Sequence, residues 1–174
     1  PDEEFDQDLL GEYSGAGVIF GVTGGVMEAA VRTAYHMLTN QEAESLLHFT
    51  PVRGLEGIKE ASLDIHGMTI NIAVAHGMKN AKPLLDQIRE KESKYHFIEI
   101  MGCPGGCVNG GGQPYIQKRA AALYREDEKQ VIRRSHLNTQ IQELYKNYLK
   151  EPNSHRAHEL LHTTYHARVP FPKK

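Results

Sequence analysis

A chain of 174 residues is long enough for one domain with a sizeable core and too short to expect two. Hydrophobic residues at 40% and charged residues at 24% fit a soluble globular protein. The formal net charge of −2 at pH 7 argues against nucleic acid or an anionic membrane as the main partner. No apolar run approaches the roughly 20 residues needed to span a bilayer, and the acidic start is unlike a secretory leader. A cytoplasmic location is therefore expected. The first residue is Pro rather than Met, which reads as a processed piece or part of a longer polypeptide.

Residues 1–14 are acidic and read as a surface connection, with no basic residue before Arg32. Gly15–Gly21 is a short apolar run bounded by glycines, which predicts a buried strand. Thr23-Gly24-Gly25 follows as a turn, and Val26–Leu38 then carries good helix formers with an apolar face at Val26, Ala29, Ala30 and Ala34. Strand, glycine turn and helix open an α/β unit. The turn leaves backbone N–H groups at a helix N-terminus, where an anion is favoured; a plain tight turn is the equal alternative.

Gln41–Leu47 reads as a short helical segment, and Pro51, Gly54 and Gly57 mark a loop. Ala61–Ile65 and Met68–Ala75 are β-type runs around His66-Gly67, predicting a hairpin or a bulged strand. Asn80–Lys91 reads as a helix with Leu84, Leu85 and Ile88 on one face and Pro83 near its start. Phe97–Met101 is the next strand. The fold class expected is α/β, built of βα units on a parallel or mixed sheet and followed by a helical C-terminal region.

Beyond Pro114 the chain reads as helical and more polar. Helices are predicted over Gln117–Ser135, over Leu137–Leu149 with apolar i, i+3, i+4, i+7 spacing, and over His155–His162 after an N-cap at Ser154. His155, His158 and His162 share one helical face, read as a solvated polar face in preference to a zinc site. The tail, His162–Lys174, holds two prolines and is expected on the surface.

Chemistry concentrates in Phe97–Pro114. Both cysteines of the chain, Cys103 and Cys107, lie here with three residues between them, and six glycines fall between Gly102 and Gly112. Glycine lets a backbone take positive φ and approach a bound group closely. Thiolates bind soft metals and iron–sulfur clusters. Two cysteines are too few for a disulfide scaffold, although a small Cys103–Cys107 ring or two unrelated buried thiols stay open. Ligands in α/β sheets collect at the carboxyl ends of strands, so the first glycine turn and the cysteine loop are expected to face one cavity. A cubane takes four thiolates as a rule, and this chain offers two. Any iron–sulfur site here must be completed from elsewhere.

The run Glu99–Pro114 resembles the last cluster-binding motif of the iron-only (di-iron) hydrogenases, E-x-M-x-C-x-x-G-C-x-x-G-x-G-Q-P, and departs from it nowhere. Gly15–Arg32 is similar to a second segment of that family, and Tyr148–Tyr165 resembles its C-terminal end. The resemblance implies a 4Fe–4S cluster joined through one thiolate to a di-iron subsite with CO and cyanide ligands, together the H-cluster. On that basis Cys103 would be a terminal cubane ligand and Cys107 the bridging one, with Met101, Phe20 and Val26 lining the di-iron pocket. It also implies the reversible interconversion of H2 with protons and electrons.

The family's other two cubane cysteines and its proton relay belong to segments upstream of Gly15, and no such motif is present. The resemblance thus describes part of a catalytic subunit: an acidic connection over 1–14, an α/β cluster-binding part over 15–116, and C-terminal helices and tail over 117–174. Its partners would be the remainder of the catalytic domain and an electron-transfer subunit of ferredoxin or NAD-linked type. Two other readings stay open, a sensory hydrogenase and a hydrogenase-like iron–sulfur assembly protein without the di-iron subsite.

Overall fold

The computed structural model describes residues 13–113 and 116–168, so residues 1–12, most of the acidic connection, and the last six of the tail lie outside the described residues. The chain forms two compact units, one ending at Asn138 and the other beginning at Thr139. The first is built on a three-stranded mixed sheet in the order β1 (Ile58–Ile65), β2 (Met68–His76), β3 (Phe97–Met101). Strands β1 and β2 pair antiparallel from Ile58 opposite Ala75 to Ile65 opposite Met68. His66 and Gly67 join them with φ of 53° and 80°, the two left-handed residues of a tight hairpin. Strand β3 runs parallel to β2, with Met101 opposite His76.

Over Ile72–His76 both faces of the central strand β2 are buried, and its side chains divide by period two. Ile72 and Val74 join a core with Met27, Val31, Leu46 and Val52. Ala73 and Ala75 pack with Leu84 on the opposite face. Of the helices α1 (Gly15–Val18), α2 (Gly25–Thr39), α3 (Met78–Arg89) and α4 (Ile116–Lys129), α2 supplies the first of these layers and α3 the second, while α1 packs against α4 and α2. The unit β2–α3–β3 is the βαβ crossover that parallel pairing requires. Among the described residues no helix is long and apolar enough to cross a membrane.

Several expectations are corrected. Gly15–Gly21 is not a strand: Gly15–Val18 is one α-helical turn and Ile19–Gly21 a 3₁₀ turn. A buried apolar run of this length carries no periodicity that separates strand from helix, and Ser14 accepts from Gly17 N–H as an N-cap, which starts a helix. On α2 Ala29 is buried as expected, but the buried face also takes Met27, Val31, Glu28 and Arg32, while Ala34 is exposed. Helix α3 begins at Met78, so Pro83 lies inside the helix rather than near its start. Leu84 is buried and Ile88 exposed. Helix α4 stops at Lys129, short of Ser135.

The second unit holds α5 (Thr139–Leu144), a π-helical turn over Tyr145–Leu149, and α6 (His155–Leu161). Ser154 caps α6 as expected, its Oγ accepting from Ala157 N–H. His162 follows α6 instead of lying on it, and its Nδ1 meets that of His158 at 2.7 Å. Among the described residues the three C-terminal histidines do not converge as a metal-ligand group.

Candidate metal centre

The cysteine loop leaves β3 at its carboxyl end and passes directly beside the first glycine turn. Thr23 N–H donates to Gly105 O at 3.1 Å. Gly106 has φ of 96°, and a Cβ on it would lie 2.6 Å from Gly21 O and 2.7 Å from Thr23 N. That position needs glycine twice over, for its backbone conformation and for the backbone packed against it. A cavity of about 380 Å³ opens between the two turns, lined by Val22, Thr23, Gly105, Leu55 and Tyr124. The expectation that both turns face one cavity is met.

Two buried side chains, one from each parallel strand, fasten the turns. Glu99 of β3 accepts from Gly24 N–H and Met27 N–H at 2.6 Å each, one donor to each carboxylate oxygen. The anion expected at the α2 N-terminus is thus supplied from within the chain, satisfying donors that a helix start leaves unpaired. Burial pushes the Glu99 carboxyl above its ordinary value, opposed by those two N–H donors and by the charge of Lys59. His76, at the end of β2, accepts from Gly105 N–H through Nδ1 at 3.1 Å, and its Nδ1 lies 3.5 Å from Thr23 Oγ1.

The loop is further tied by its own backbone. Gly106 N–H donates to Cys103 O at 3.0 Å, and Gly110 N–H to Cys107 O at 2.9 Å. Asn109 Nδ2 donates to Pro104 O, and Arg119 from α4 donates to Val108 O. Gly105 and Gly106 are buried, whereas Cys103 and Cys107 are exposed free thiols. The two thiols are therefore not joined in the small disulfide ring and both are open to a ligand.

The other sequence-derived site residues occupy neighbouring segments. Met101 is half-buried at the end of β3, where its carbonyl accepts from Gly77 N–H. Phe20 is 46% exposed on the 3₁₀ turn, next to the Gly21 carbonyl that abuts Gly106. Val26 is half-buried in the first turn of α2.

Beneath the cavity lies an ionic cluster that sequence reading missed. Arg32, with a side chain 0% exposed, grips both oxygens of Asp127 at 2.9 Å and Glu28 Oε1 at 2.8 Å. Arg53 and Arg133 complete the two carboxylates, and the Arg53 guanidinium stacks 3.9 Å over the Tyr124 ring. Glu28 and Arg32 stand four apart on a helix, a legible pair, but Asp127 lies on α4 and nothing in the sequence links it to them. His36 and His136 stack with centroids 4.3 Å apart, each with a ring nitrogen 2.9 Å from Glu42 Oε1. Arg134 pairs with the other Glu42 oxygen, so this carboxylate is already matched by cations and donors.

A mixed α/β sheet that presents two free thiols on a glycine loop at its carboxyl edge carries the donors that soft metals take. Residues 1–111 match the model of the iron only hydrogenase large subunit, C-terminal domain, and residues 113–168 that of the iron hydrogenase small subunit. The chain belongs to the iron-only hydrogenase family, matching the C-terminal domain of its large subunit. It is 47% identical to the NADP-reducing hydrogenase subunit HndD of Solidesulfovibrio fructosivorans over 97% of this chain and 29% of that protein. It is 46% identical to iron hydrogenase 1 of Clostridium pasteurianum over 94% of this chain and 30% of that one. A solved structure of a variant of the FeFe-hydrogenase HydA1 from Chlamydomonas reinhardtii superposes with a TM-score of 0.68 at 45% identity, covering 95% of this chain and 49% of that one. Protein NAR1 of Arabidopsis thaliana matches at 32% identity over 87% of this chain and 34% of its own length. The chain thus spans about a third of the curated relatives it matches.

Proposed function

We propose that this chain supplies one half of the cluster site of an iron-only hydrogenase catalytic subunit, the other half coming from the remainder of the catalytic domain. The observation that carries the reading is the pair of exposed free thiols on a glycine loop packed against the Gly21–Thr23 backbone. Soft thiolate donors suit an iron–sulfur cluster, and two of them leave ligand positions for the missing half. Cys103 would hold a corner of a 4Fe–4S cubane and Cys107 would bridge it to the di-iron subsite with its CO and cyanide ligands. When bound, that H-cluster supplies the redox chemistry interconverting H2 with protons and electrons.

The chain's own residues bind and orient. The two cysteines would hold the cluster, and the buried glycine Gly106 between them lets the loop backbone pack against the Gly21–Thr23 turn. Met101, Phe20 and Val26 would form an apolar wall that keeps water from the di-iron subsite. An electron-transfer subunit of ferredoxin or NAD-linked type would exchange electrons with the cubane, in keeping with the name of HndD as an NADP-reducing hydrogenase subunit.

The test is an infrared spectrum of the chain assembled with the upstream half of the catalytic domain. Bands of CO and cyanide on iron are expected, with their loss and the loss of H2 turnover in Cys107→Ser. In Cys103→Ser, disturbed cubane spectra are expected. A clustered protein without those bands would overturn the hydrogenase reading in favour of a hydrogenase-like iron–sulfur assembly protein. Full turnover in Cys107→Ser would also sink the ligand assignment.

A further inference from the structure

We infer that His76 is a positioning residue for the metal centre, its Nδ1 anchoring the Gly105 amide and so setting the spacing of Cys103 and Cys107. The inference rests on the reading of those cysteines as cluster ligands. It goes beyond that reading because His76 lies 27 residues before Cys103 and outside the cysteine motif.

The imidazole is held from several directions. His76 is 6% exposed. Its N–H donates to Gly57 O at 3.1 Å, and its carbonyl accepts from Asn80 Nδ2 at 2.8 Å, so its backbone is fixed on both sides. Since Gly105 N–H is a donor, Nδ1 must be the acceptor and the ring proton sits on Nε2. Burial, and then the charge of Lys59, disfavour the doubly protonated ring, which would lose that acceptor.

Gly105 is the midpoint between the two thiols. Its N–H is taken by His76 and its carbonyl by Thr23 N–H, so both peptide groups flanking its Cα are bound to fixed parts of the fold. The Gly106-to-Cys103 bond closes the turn around it. An apolar residue in place of His76 would fill the space and leave a buried N–H without an acceptor, which is costly.

Three substitutions separate position from polarity and from bulk. His76→Asn places a carbonyl oxygen close to where Nδ1 sits, His76→Gln carries its oxygen one bond further on, and His76→Leu removes the acceptor. Amide exchange at Gly105 in this chain is read first, with Ile72 and Val74 of the central strand as the control for an intact fold. Exchange at Gly105 is expected to rise roughly ten- to a hundredfold in the Leu and Gln variants and to stay near the parent value in Asn. The cubane midpoint potential is then read in the chain assembled with the upstream half, where Leu and Gln should shift it and Asn should restore it. Unchanged Gly105 exchange and potential in both Leu and Gln, with the fold intact, would overturn the anchor. Gly105 exchange that follows the acceptor, in an assembled parent protein that takes up no cluster, would overturn the ligand reading instead.

Discussion

Glu99→Gln tests whether the two glycine turns are held by charge. Both oxygens of Glu99 accept from backbone N–H groups at 2.6 Å, and the residue is 6% exposed. Gln keeps the size but replaces one acceptor with an NH2 donor, so Gly24 or Met27 N–H must face another donor. Losing one charge-assisted bond costs about 1.5–3 kcal/mol, and leaving its buried donor unpaired makes the upper part of that range the relevant one. Removing the negative charge from the α2 N-terminus adds about 0.3–1 kcal/mol. Lys59, 4% exposed, also loses a carboxylate that attracts it. The sum is about 3–4 kcal/mol, a large share of the roughly 5–15 kcal/mol that holds a domain together. Urea unfolding of the chain reads it, as a fall in midpoint of about 1–3 M with an unchanged slope. Glu44→Gln, which removes an exposed carboxylate paired with Arg134, is the control and should cost no more than about 1 kcal/mol. A Glu99→Gln loss equal to that of the control would refute the idea that an internal anion organises the turn.

The ionic cluster under the cavity should be equally demanding. Arg32→Met leaves Glu28 and Asp127 buried with one arginine fewer each, at a cost of about 3–5 kcal/mol in urea unfolding. Burial alone would raise Asp127, but hydrogen bonds from Arg32 and Arg133 hold it below its ordinary value of 3.8. A depressed carboxyl stabilises the fold above the unfolded-state value, so its contribution should disappear as pH falls below 3.8, and Asp127→Asn should flatten that limb of an acid titration. Gly106→Ala puts a Cβ 2.6 Å from Gly21 O at φ 96°. It should cost at least about 1–3 kcal/mol from backbone strain alone and lower the iron bound by the assembled protein, measured by metal analysis.

What the sequence conveyed and what it withheld divide along physical lines. The hairpin around His66-Gly67 and the strand Phe97–Met101 were legible because alternation and turn chemistry are local properties. The helix Gly25–Thr39 was legible in extent but not in facing. Its buried stripe includes Glu28 and Arg32, charged residues that a hydrophobic pattern assigns to solvent, and their partner lies 95 residues from Arg32 on α4. Gly15–Gly21 failed for the opposite reason: it is apolar throughout, so period cannot tell strand from helix, and the decisive signal was the Ser14 cap at its edge. The cysteine pair was visible as chemistry from the start. His76 was not, since a histidine at a strand end carries no motif, and its role exists only once β2 and β3 lie side by side.

The polar groups that hold the loop belong to the chain itself. Its thiols are exposed and free while the backbone between them is hydrogen-bonded to the fold. His76 anchors Gly105 of the loop through its imidazole, and Glu99 anchors the neighbouring glycine turn through the N–H groups of Gly24 and Met27. His76 ends β2 and Glu99 lies at the middle of β3, on adjacent parallel strands. The glycines then contribute closeness, with Gly106 lying directly against the Gly21–Thr23 backbone. In this arrangement the loop backbone is fixed by the chain's own donors and acceptors, and the two cysteine side chains are left exposed on it.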